Sequence, residues 1–128
     1  MRHGQATVEF LMIFMLFLAA LNVVAVVAYQ RYTEIQTIRQ DIEANTLVVS
    51  LANTLNSAFL AGDGFRINMS LPNSVGNTNY TIHVLGNLLM LNTSRDTYSE
   101  TLFTPNITGT FVPGLNTIRN INNNVVVQ

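Results

Sequence analysis

Residues 10–29 read FLMIFMLFLAALNVVAVVAY, twenty positions without a charge and with Asn22 as the one clearly polar side chain. Coiled into an α-helix, this run is about 30 Å long, the thickness of a bilayer's hydrocarbon core. A core helix of a soluble domain is shorter and keeps a polar stripe, whereas this one is apolar on every side. The run is read as a membrane span. Asn22 could bond across to another helix or back to a carbonyl of its own, and periodicity does not choose between these.

A cleaved secretory signal is the competing reading, because Arg2 and His3 precede the run. Such signals have an apolar stretch of about 7 to 15 residues followed by a small-residue cleavage site. Here the stretch is longer, and more helix follows it. Residues 29–43 turn polar but keep Ile35, Ile38 and Ile42 at helical spacing, and Val49, Ala52, Leu55 and Phe59 are read as continuing that stripe, widened by Leu47, Val48 and Leu51. No Pro or Gly falls between Gln5 and Ala61, and Gly62 stands where a left-handed C-cap belongs. The spacing predicts one helix over residues 5–61. A coiled coil is excluded by the lack of regular charge pairs flanking the stripe.

Beyond Gly62 the period changes to two. Phe65, Ile67, Met69 and Leu71 alternate with polar residues, as do Tyr80, Ile82 and Val84, which marks half-buried antiparallel strands. Residues 72–79 read as a turn segment, Gly86-Asn87 as a two-residue hairpin turn into residues 88–91, and Asn122-Asn123-Asn124 as a turn using left-handed Asn. Further short strands are expected over residues 101–104, 107–112, 117–121 and 125–127, with 92–100 unassigned. Sixty-six residues without Cys are marginal alone. The apolar face of residues 47–60 must therefore cover the sheet. The predicted fold is α+β, a lollipop with one long N-terminal helix and a small antiparallel β-sheet head packed on its C-terminal half.

Composition narrows the function. The chain has 128 residues, six Arg, no Lys, no Cys, two His and a formal charge of −1, while 16 Asn, 14 Thr and 6 Ser carry its polarity. A nucleic-acid surface needs clustered cations. A thiolate zinc site or disulfide framework needs Cys. No nucleophile, base and orienter come together at any spacing that would support an enzyme. No cofactor or metal is expected; Asp63, Asp96 and Glu100 read as scattered surface acids, and His83 as a surface residue.

The start of the chain carries a resemblance. Arg2-His3-Gly4 followed by Gln5-Ala6-Thr7-Val8-Glu9-Phe10-Leu11 resembles the class III signal of archaeal type IV pilin precursors: a short basic leader ending in Gly, then Gln-x-Ser/Thr-x-Glu-Phe and a long apolar run. Thr7 stands where Ser is commoner. The motif spans about ten residues, and the stem, long helix and β head match the family over the whole chain. The resemblance implies a structural subunit of an adhesion pilus, with cleavage by a prepilin peptidase between Gly4 and Gln5. It also implies insertion in the cytoplasmic membrane as a precursor, delivery by pilus assembly machinery, and polymerisation with copies of itself into a helical filament at the cell surface. It divides the chain into leader (1–4), stem (5–29), helix continuation (30–62) and β-rich head (63–128), with Glu9 and Phe10 as assembly residues.

Two further features come from the residues themselves. Glu9 is costly at the edge of a span unless paired, and cleavage would expose a Gln5 amine one helical turn away. Sequons at Asn68, Asn79, Asn92 and Asn106 make N-linked glycans candidate partners, although a head with 12 Asn and 13 Ser or Thr would hold two or three such triplets by chance. The alternatives are a single-pass membrane-anchored extracellular binding module, for instance a sugar-binding one, which leaves the leader pattern unexplained, and an archaellin-like filament subunit, whose stem usually begins Gly-rich without Glu at this place.

Overall fold

The computed structural model describes residues 2–128, with side chains from residue 5 onward. One helix, α1 (Arg2–Leu60), precedes seven strands: β1 (Arg66–Leu71), β2 (Tyr80–Leu85), β3 (Leu88–Thr93), β4 (Thr97–Thr101), β5 (Ile107–Gly109), β6 (Gly114–Ile121) and β7 (Asn124–Val127). The arrangement is the expected α+β one, a long N-terminal helix followed by a small, largely antiparallel head. Two compact units divide it, one ending at Thr37 and the other comprising Ile38–Gln128.

In the first unit the side chains described are exposed almost throughout, from Val8 and Phe10 to Tyr32 and Ile35. Phe10 and Phe14 stack with ring centroids 6.2 Å apart. This part of α1 is long and apolar enough to cross a membrane.

In the second unit the end of α1 covers a β head whose strands form two sheets, where one was expected. The first has the order β1-β6-β7-β5 and the second β2-β3-β4. All pairs are antiparallel except β5 with β7, because the hairpin strand β7 inserts between β5 and β6. The core is continuous: Ala44, Val48, Leu51, Leu55 and Ala58 of the helix pack with Leu71, Ile118 and Val125 of one sheet and Leu89 and Leu91 of the other.

The helix face differs from the expected stripe. Ala52 and Leu55 are buried, but Ile35, Ile38 and Ile42 are 61%, 50% and 61% exposed, and the buried face begins instead at Gln40 and Ala44. A step of three residues falls about 60° short of a full turn, so the two steps from Val49 through Ala52 to Leu55 rotate the stripe by about 120°. A stripe that winds cannot stay on one packing face.

The turns follow local chemistry. Gly62 has φ 83° and its N–H reaches the Phe59 carbonyl at 3.2 Å, the left-handed cap expected there. Asn122 and Asn123 both adopt positive φ between β6 and β7, as a type I′ turn requires. Inside the segment 72–79, Val75 and Thr78 exchange two backbone hydrogen bonds of 2.9 Å around Gly76 and Asn77, a second tight hairpin. Residues 92–100, unassigned from the sequence, hold the end of β3, a turn and most of β4; the strand expected at 101–104 ends at Thr101, and Leu102 and Thr104 are buried beyond it.

Candidate functional site

The stem presents its polar groups in two places. Asn22 donates to the Leu18 carbonyl at 2.8 Å, so its amide is satisfied within its own helix. Glu9 is exposed and makes no ion pair among the described residues, whose two salt bridges are Arg31–Glu34 and Arg39–Glu43. Gln5 and Phe10 are exposed as well; Gly4 lies outside the residues described at side-chain level. A carboxylate standing alone among apolar side chains is a group that a second molecule could pair.

The head is fixed to its part of α1 by polar contacts that the sequence did not reveal. Gly76 donates its N–H to Glu43 Oε2 at 2.9 Å, and Arg39 holds the other carboxylate oxygen at 2.9 Å. A Cβ at Gly76 would lie 2.6 Å from Gln40 Cβ and Cγ, so only glycine lets this turn lie on the helix. The Tyr98 hydroxyl donates to Asp41 Oδ1 at 2.6 Å, and the Phe103 N–H to Asn56 Oδ1 at 2.9 Å. Asn120, buried, donates from Nδ2 to the carbonyls of Ala58 and Phe59 and so caps the helix end. Asn116, also buried, donates to the Val112 and Gly114 carbonyls and accepts from the Val112 N–H, which sets the loop before β6.

Two of these contacts carry a pH dependence. The Asp41 carboxylate accepting its hydroxyl hydrogen bond, with burial added, pushes Tyr98 up to about 12 from 10.0. The Gly76 N–H and Arg39 hold Glu43 below its ordinary 4.5. For Tyr98 the unfolded chain releases its proton first, so stability is lost as pH rises from 10 towards 12; for Glu43 the unfolded chain binds its proton first, so stability is lost as pH falls below about 4.5. Chemical denaturation across pH should therefore find a plateau between these limits. Tyr98→Phe should shrink the alkaline decline to the part contributed by Tyr80, which burial also raises above 10.0, and leave the acid one; a decline of unchanged size in that variant would reject the assignment.

The four sequons separate by backbone context. Asn79 is exposed just before β2, and Asn106 is exposed in the loop before β5. Asn68 is exposed within β1, with its Oδ1 accepting from Thr117 Oγ1 at 3.0 Å. Asn92 is half-buried inside β3, between Thr81 and Thr97 on the flanking strands. His83 is exposed on the outer face of the second sheet, opposite Met90. Asp63 Oδ1 accepts from the Asn122 N–H at 2.7 Å, away from Asp96 and Glu100, and among the described residues no group of three acids, His or Cys could hold a metal ion.

Comparison with protein-family models, with curated proteins and with solved structures finds no match to this chain.

Proposed function

We propose that this chain is a structural subunit of an extracellular helical filament of the archaeal type IV pilus kind, made as a membrane-inserted precursor and assembled through its apolar stem. The observation that carries the reading is a fully exposed, charge-free helical stretch belonging to a unit distinct from the packed head and preceded by the Gly4-Gln5-x-Thr7-x-Glu9-Phe10 pattern. Lipid and neighbouring stems are almost equally apolar, so transfer between them costs little, and packing and interhelical contacts can decide the outcome. Residues outside the stem need only fold and face water. A head whose polarity rests on amides and hydroxyls fits added glycans, which raise surface solubility without charge.

Mass spectrometry of the protein from native membranes and from shed filaments tests this. The filament form is expected to begin at Gln5, 124 residues after loss of the first four of 128, and to carry glycan on Asn79 and Asn106 ahead of Asn68 and Asn92, whose backbones are committed to strand pairing. Replacing Gly4 with a bulky residue should leave unprocessed precursor in the membrane. Filaments that retain Met1 would reject processing, and cleavage after the apolar run in place of before it would favour the extracellular binding module.

A further inference from the structure

The outer face of the first sheet holds an unexpected pair. Arg66 of β1 lies directly opposite Arg119 of β6, and both side chains are exposed. Like charges facing each other across two strands are destabilising. Neither guanidinium has an ion pair or hydrogen bond to any described residue. Their neighbours on this face, Asn68 and Thr117 beside them and Val126 next to Arg119, bring no acid. Two of the six Arg in the chain are thus set together at a cost to the fold.

The rest of the same unit has the opposite sign. Outside this pair, residues 38–128 contain Arg39 and Arg95 against Asp41, Glu43, Asp63, Asp96 and Glu100, a net charge of −3 beside +2 on the sheet face. Two of these acids lie at β4: Asp96, exposed just before the strand and next to Arg95, and Glu100, half-buried within the strand opposite the buried Leu89, flank Tyr98 at alternate positions, and Tyr98 is itself bonded to Asp41. Opposite charges on different faces of one body favour contact between unlike faces of two copies. Such a heterologous contact need not close into a ring and can propagate.

Resting on the filament reading above, we infer that the Arg66–Arg119 pair is the cationic half of a contact between head units, and that the Asp96–Glu100 edge of β4 on the next copy is the anionic half. Each guanidinium offers a planar fork of donors suited to a carboxylate. The like-charge cost in the single chain is then relieved on assembly.

The test uses full-length protein and reads filament formation and head melting separately. Arg66→Thr should raise the melting temperature of the head, by about 2 °C or more, while raising the critical concentration for assembly about tenfold; a purely structural residue would move both the same way. Copies carrying R66E and R119E should fold but form no filaments, and so should copies carrying D96K and E100K. An equal mixture of the two should assemble, because each supplies the charge the other now needs. Filaments of R66E/R119E with wild-type salt resistance would overturn the inference. So would a folded mixture that fails to assemble, which would mean that the pair holds an anion from another source. Failure of the wild-type chain itself to form filaments would instead reject the filament reading.

Discussion

Gly109→Ala is expected to cost the Ile38–Gln128 unit its cooperative melting or to lower its midpoint by more than about 12 °C. Gly109 has φ 108° and lies opposite Val127 in the parallel β5–β7 pair, where an added Cβ would stand 2.0 Å from the Val127 carbonyl oxygen and 2.9 Å from its carbonyl carbon. Both atoms are backbone, so no side chain can swing aside. Strain at such a dihedral costs about 1–3 kcal/mol. Relief of the overlap requires β5 to leave the sheet, and a total of about 3 kcal/mol corresponds to the shift given for a domain of this size. Gly114→Ala is the control, because Gly114 has φ 99° but nothing within 4 Å of its added Cβ. Equal effects at the two positions, measured by thermal unfolding, would show that dihedral strain alone matters and that the close approach does not.

The second large effect is expected in assembly. Glu9→Ala should be processed normally and leave head melting unchanged, since Glu9 lies in the unit that ends at Thr37, yet its filaments should be scarce. In an apolar stem, weak screening makes a charge pair strong and an unpaired charge expensive. On the filament reading proposed above, an incoming subunit without the carboxylate would leave the amine that processing at Gln5 would create with no anionic partner, a loss of about 3–5 kcal/mol for a buried pair broken on one side. That is a reduction in assembly of more than about 100-fold. Glu9→Gln keeps the shape and removes the charge, so it should fail equally. Wild-type filament yield from both variants, each as the sole subunit, would make Glu9 an interfacial residue with no part in docking.

Much of this architecture was legible from local signals, and its limits are equally physical. The stem, the length of α1, the Gly62 cap and the Asn122-Asn123 turn follow from residue type and spacing, because each depends on groups within a few positions of one another. The alternation in β1 and β2 likewise records a face exposed to water. Glu9, Phe10 and the four sequons could be singled out from sequence, but how exposed each is, and that Asn92 lies within a paired strand, could not. What only tertiary structure decided are the relations between distant residues: the division into two sheets, the parallel β5–β7 pair, and the docking of Gly76 and Tyr98 on Glu43 and Asp41. Nothing in the local sequence marks Asn116 and Asn120 as buried; tertiary packing places their amides on carbonyls of the loop before β6 and of the helix end. Arg66 and Arg119 stand 53 positions apart, and nothing in either strand alone implies that they face each other. Strand pairing is chosen by the whole core, through contacts summed over many residues, and periodicity within one segment carries no information about its partner.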